Sequence, residues 1–134
     1  MIEQADRLYT AEQVRRLDKC AIEGHGIPGI ALMERAGAGV FEAARQVFPD
    51  ARKLLVLCGG GNNGGDGYIV ARLAMEAGLK VDLCALKPPE SLGGDAATAA
   101  CSWLDAGGRP VEWPPGDLDA YDVIFDALLG TGLD

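Results

Sequence analysis

Positive charge is scarce in this sequence of 134 residues: 12 lysines and arginines face 20 aspartates and glutamates, a formal net charge of −8. That deficit argues against nucleic acid or an anionic membrane as the main partner, because both reward basic patches. No apolar run approaches the length of a membrane span, and the opening "MIEQADRLY" lacks the basic and apolar regions of a secretion signal. The four cysteines, Cys20, Cys58, Cys84 and Cys101, form no C-x-x-C pair and have no metal-ligand spacing. Reduced thiols in a cytoplasmic protein are expected, with Cys58 and Cys84 acting as small hydrophobes inside apolar runs. Histidine occurs once, as His25 in "GHGIPG", with no partner nearby for acid–base work.

What is present suits one globular domain: 49% of the residues are hydrophobic, and the length is enough to bury a core. Thr10-Ala-Glu-Gln13 has the form of a capping box, so a helix is expected from Ala11, with Val14, Leu17 and Ala21 at helical spacing. "GHGIPG" breaks it, Pro28 can open the next helix, and apolar residues from Ile30 to Ala44 carry that helix towards Phe48-Pro49. From residue 53 the pattern alternates between strand and helix. "KLLVLC" (53–58) reads as a strand buried on both faces, and Tyr68, Ile69, Ala71, Leu73 and Ala74 suit a helix ended by Gly78. "KVDLCAL" (80–86) is a second strand, "DAATAACSWLDAG" the second helix of this unit, alanine-rich and ended by Gly107-Gly108, and 122–127 a further strand. Such alternation implies parallel strands with helices on the faces, and ligands then bind outside the carboxyl ends of the strands. Two places satisfy that rule, the loop after Cys58 and the loop after Asp126. The chain stops on "LLGTGLD" with no helix to close the unit, so a fragment of a longer domain is expected.

The loop "CGGGNNGGDGY" (58–68) admits several readings. A phosphate-binding P-loop is excluded, because Asp66 stands where its lysine should be. Gly59-x-Gly61-x-x-Gly64 matches the dinucleotide fingerprint, which also asks for an acid about 20 positions on. Asp82 is near that distance but lies inside the second strand, and Lys87 is closer to the strand's end. A third reading attends to Asn62, Asn63 and Asp66: glycine-rich backbone at a helix start binds anions, and asparagine supplies both donors and an oxygen. The structural alternative is that Asp66 caps the helix and the asparagines only shape a turn. "DALLGTG" places Asp126 at a strand end, followed by Gly130-Thr131-Gly132. If the two strands are adjacent, Asp126 and the glycine loop share one crevice, a credible site for a hard monovalent cation or a substrate hydroxyl. The alternative is an ordinary aspartate binding turn amides. Glu34 reads either as a hydrogen-bonding group near the site or as a solvated carboxylate; Trp103 and Trp113 read as packing residues, and Tyr68 as core.

With "LMERAG" (32–37), "GGGNNGGDGYIVARLA" (59–74) and "DALLGTGL" (126–133) in this order, the chain resembles the NAD(P)H-hydrate epimerase family. That domain occurs alone, as in the apolipoprotein A-I-binding protein, or as the N-terminal half of bifunctional enzymes carrying an ADP- or ATP-dependent dehydratase. The resemblance implies a Rossmann-like three-layer α/β/α sandwich with a mainly parallel sheet. It implies an isomerase of cofactor repair, interconverting the R and S epimers of hydrated NADH and NADPH (NADHX and NADPHX). The dinucleotide is then a substrate rather than a redox cofactor, and potassium is the bound ion. By motif position, Asn62, Asn63, Gly64, Gly65 and Asp66 bind the hydrated dinucleotide, together with Gly130, Thr131, Gly132 and Leu133. Asn63 and Asp126 ligate the potassium. A homodimer or a fused dehydratase domain is the implied partner, and residues 1–134 are the N-terminal part of one domain: two helices over about 11–48, then a β-α-β-α-β unit over about 53–134. The main acid–base group is expected beyond Asp134. The rivals are an ordinary NAD-dependent oxidoreductase, which the missing strand-end acid disfavours, and a non-catalytic nucleotide- or partner-binding module.

Overall fold

The computed structural model describes residues 8–130. Helix α1 (Ala11–Lys19) starts at the expected box: the Thr10 side chain accepts from the Gln13 N–H while the Gln13 side chain accepts from the Thr10 N–H. It runs on as a π-helical turn over Cys20–Gly24, and Gly26, at φ 66°, turns the chain where the sequence breaks. Then follow α2 (Gly29–Val47), β1 (Lys53–Cys58), α3 (Asn62–Glu76), β2 (Lys80–Ala85), α4 (Gly94–Asp105) and β3 (Val123–Ala127). Pro28 stands one position before the first helical residue of α2 rather than within its first turn.

The three strands form one parallel sheet in the order β2-β1-β3. Val111 makes an isolated parallel bridge to Cys84 on the outer side of β2, so the chain steps outward from β1 to β2 to Val111 and then returns to β3 on the other flank. That reversal makes the β1–β3 boundary a topological switch point, where open α/β sheets leave a crevice. The α/β class, the parallel sheet and the Rossmann-like order agree with the sequence expectation.

Alternation along β1 decides the faces. Val56 and Cys58 point at α3, and Leu54 lies with Phe41, Phe48, Val123 and Phe125 in the apolar layer under α2. The core joins Val56, Cys58 and Leu83 of the sheet to Tyr68, Ile69 and Val70 of α3, Met33 of α2, and Trp103 of α4. Tyr68 and Trp103 meet with ring centroids 5.5 Å apart. Next to β2 the other face is met by the chain that returns after Val111: Cys84 Sγ donates to the Glu112 carbonyl, and the Tyr121 hydroxyl donates to Asp82. Asp82 is therefore occupied within the sheet and is not a strand-end ribose ligand. Trp103 packs as expected; Trp113, 44% exposed, does not, because it lies in the proline-rich return segment rather than on a packed element.

Candidate functional site

The glycine-rich stretch is tighter than a loop. Helix α3 begins at Asn62, with Gly61 as its N-cap in extended geometry, so Asn62, Asn63, Gly64, Gly65 and Asp66 are the first five helical residues. This corrects the reading of Asp66 as an N-cap and of the asparagines as turn formers. Gly61 has no side chain to cap the helix, and the leading N–H groups of α3 are left for a ligand or water.

The glycines have a packing cause. A Cβ on Gly59 would collide with the Leu128 carbonyl oxygen, and one on Gly64 with the Gly59 carbonyl oxygen. At Gly67 it would meet Cys58 Sγ at 2.7 Å, and at Gly65 Met33 Sδ at 2.7 Å. Glycine thus lets α3 seat directly on the ends of β1 and β3. It also brings the β1–α3 junction against the residues that follow β3, where the Gly59 N–H donates to the Ala127 carbonyl at 2.9 Å.

Between these parts lies a cavity of about 520 Å³, lined on one side by Gly61, Asn62, Asn63, Gly64 and Asp66 and on another by Leu128, Leu129 and Gly130. Val14, Arg15 and Asp18 of α1 form its outer wall. In the sequence Val14 only marks helical spacing and none of the three is read as a site residue, because the single motif there is the capping box; only the fold lays α1 over the crevice. The Asn63 side-chain amide donates to the Leu129 carbonyl, tying the two loops together. Burial, reinforced by the nearby Asp18 carboxylate, raises the Asp66 pKa to about 6.

Asp126 sits at the carboxyl end of β3, adjacent to β1 as the shared-crevice expectation requires. Its side chain is exposed and accepts the Leu128 N–H at 3.1 Å, which shapes the turn into Leu129 and Gly130. It does not line the cavity itself. Thr131, Gly132 and Leu133 lie outside the described residues. Among the described residues no group of three or more His, Cys, Asp or Glu side chains could hold a metal ion. A monovalent ion taking amide, carbonyl and single-carboxylate oxygens needs no such cluster. The oxygens offered near this strand end are the Asn63 amide oxygen, whose nitrogen donates to the Leu129 carbonyl, and the Asp126 carboxylate, which accepts the Leu128 N–H.

Glu34 does not line the cavity; its part-exposed carboxylate is engaged, both oxygens accepting from Arg72 at 2.6 Å and clamping α2 to α3. Its partner lies 38 positions away, so no local pattern announced it. His25 is exposed in the loop after the π turn. Cys58 and Cys84 are buried free thiols, and burial pushes both pKa values up; Cys20 and Cys101 are exposed. No described helix is long and apolar enough to cross a membrane.

Comparison with known proteins agrees with this geometry. The chain is 45% identical over 130 residues to the bifunctional NAD(P)H-hydrate repair enzyme Nnr of Escherichia coli, covering 94% of this chain and 24% of that protein. It is 42% identical over 129 residues to the NAD(P)H-hydrate epimerase of Rhodopirellula baltica, covering 92% of this chain and 52% of that one. In fold it is similar to the crystal structure of yeast ynu0, with a TM-score of 0.79 and 22% identity over 96% of this chain and 58% of the other. The chain thus spans between about a quarter and about half the length of these two curated relatives. The model of the YjeF-related protein N-terminus matches residues 29–134, which include α2, the whole sheet and the cavity's glycine-rich wall, and the chain belongs to that family.

Proposed function

We propose that this chain is the N-terminal part of an NAD(P)H-hydrate epimerase domain, an isomerase that interconverts the R and S forms of hydrated NADH and NADPH. One observation carries the proposal: at the switch point of the sheet, the uncapped start of α3 and the strand-end residues Leu128–Gly130 wall a single cavity. The leading N–H groups of α3 suit the pyrophosphate of a dinucleotide. The segment Asn62, Asn63, Gly64, Gly65 and Asp66 would hold the substrate from one side. Gly130, with Thr131, Gly132 and Leu133 after it, would hold it from the other. Epimerisation at a carbon bearing both hydroxyl and ring nitrogen requires proton transfer as the hydroxyl leaves and returns, and no electron acceptor.

Potassium is assigned to Asn63 and Asp126. The Asn63 amide gives its N–H to Leu129, which leaves its oxygen for a cation, and the exposed Asp126 carboxylate belongs to the same strand-end turn. The ion would fix that turn and offset substrate charge in an acidic protein. A dehydratase, fused or separate, fits as the partner that consumes the S epimer, since relatives of this chain are bifunctional repair enzymes. Four free cysteines accord with a cytoplasmic setting. A second copy of the chain is the remaining partner proposed, and sedimentation equilibrium tests it.

The test is to incubate a single chromatographically purified epimer of NADHX with the parent protein and follow appearance of the other. Equilibration well above the blank, faster in potassium than in sodium, is expected. Mixing at the blank rate, or hydride transfer in its place, defeats the assignment. Asp126→Asn should weaken the potassium dependence, and an unchanged potassium response removes Asp126 from the ion site.

A further inference from the structure

In dinucleotide sites of this topology, the residue at the tip of the second strand meets the adenosine ribose: an acid there takes the 2′-hydroxyl, whereas a cation accommodates a 2′-phosphate. Here the pairing of β2 with β1 ends at Ala85, and the Leu86 N–H still donates to the Cys58 carbonyl at 2.9 Å. The next side chain is Lys87, and no carboxylate occurs from Ala85 to Pro89. The Lys87 side chain lies along the glycine loop itself: a Cβ on Gly60 would stand 2.8 Å from its Cδ and 3.4 Å from its Nζ. Among the described residues no ion pair engages this ammonium. Pro88 fixes the backbone that follows, and buried Pro89 anchors it. The cation is therefore held beside the β1–α3 junction, on the β2 flank, while the cavity opens on the β3 flank.

Resting on the dinucleotide reading of the cavity, we propose that Lys87 binds the 2′-phosphate of the adenosine ribose, so that the 2′-phosphorylated hydrate is preferred over the unphosphorylated one. Pyrophosphate on the α3 N-terminus would place the adenosine half towards β2 and the nicotinamide half in the cavity by β3. Gly60 is then required twice, for the loop's approach to the ligand and for room beneath the lysine. Glu90, exposed in the following 3₁₀ turn, is the nearest acid in sequence, and among the described residues it makes no ion pair with Lys87.

Calorimetric binding of adenosine 2′,5′-bisphosphate and of AMP to the parent protein tests this without any turnover. The wild type should bind the bisphosphate roughly tenfold tighter or more, as one charge-assisted contact to phosphate allows. Lys87→Met should bring the two affinities together, and Lys87→Arg should keep most of the difference. Since Lys87 is exposed, its replacement should not unfold the protein, and circular dichroism checks that. The ratio of kcat/KM for NADPHX over NADHX should fall by the same factor in Lys87→Met. Equal binding of both ligands by the wild type, or an unchanged ratio in Lys87→Met, overturns the assignment. A Lys87-dependent preference in a protein that does not epimerise would uphold the lysine's role and defeat the proposed reaction instead.

Discussion

The seating of α3 on the sheet predicts that one chemical change, glycine to alanine inside a helix, will have opposite signs at two positions. At Gly67 the new methyl would lie 2.7 Å from Cys58 Sγ, 2.9 Å from Ala127 Cβ and 3.2 Å from Val56 Cγ1. Such atoms rest about 3.5–4.0 Å apart, so α3 must withdraw by about 1 Å. Cys58 and Val56 are fully buried and Ala127 nearly so, and none can swing into solvent. Overpacking of this kind costs about 1–3 kcal/mol. The upper end applies here, because withdrawal also loosens Tyr68, Ile69, Val70 and Ala71 on the same helix. Alanine's better helix propensity returns about 1 kcal/mol, leaving Gly67→Ala about 2 kcal/mol less stable than wild type. Gly39, exposed in the middle of α2, has no heavy atom within 4 Å of its added Cβ. There propensity acts alone, and Gly39→Ala should gain about 1 kcal/mol. Urea unfolding with a shared slope should order the midpoints as Gly67→Ala, wild type, Gly39→Ala. A Gly67→Ala protein as stable as wild type would refute the close approach of α3 to Cys58, and with it the account of why this segment is rich in glycine.

Other consequences are as concrete. The Asp66 pKa is raised in the folded state to about 6, by burial first and Asp18 second, so its contribution to stability is complete below about pH 4 and lost as pH rises through about 6. Urea midpoints should record that decline for the wild type, and Asp66→Asn should flatten it; an identical pH profile would show that Asp66 titrates normally. Glu34→Gln should cost about 1 kcal/mol in the same assay, a figure discounted because the Glu34 side chain is 38% exposed. A double-mutant cycle with Arg72→Met should then show coupling, and strict additivity would deny the clamp between α2 and α3. Cys20 and Cys101 should react with a thiol reagent in the native protein, whereas Cys58 and Cys84 should react only after unfolding.

Much of the fold was legible because it is written in local periodicity and in caps. The box at Thr10 needs only residues three apart, and the buried strand "KLLVLC" announces itself as an apolar run that spans Lys53–Cys58 in the structure. Gly78, at φ 83°, follows α3 where the sequence expects a stop. Long-range pairing carries no such local mark. Glu34 finds Arg72, and Asp82 finds Tyr121 at 39 positions' remove, through the packing of whole elements. Trp113 was expected to pack and does not, since composition reports how hydrophobic a side chain is but not what arrives to cover it.

The glycine-rich segment divides the two kinds of information most clearly. By itself the sequence determined that strand, glycine run and helix follow one another, that a second loop follows Asp126, and which family these motifs resemble. Only the tertiary structure decided that Asn62 to Asp66 are helical, that Asn63 ties the first loop to Leu129, that α1 walls the cavity, and that Lys87 lies over Gly60. The reason is physical. Propensity acts within a few residues, while the close approaches that require these glycines exist only once β1, β3 and α3 have packed together.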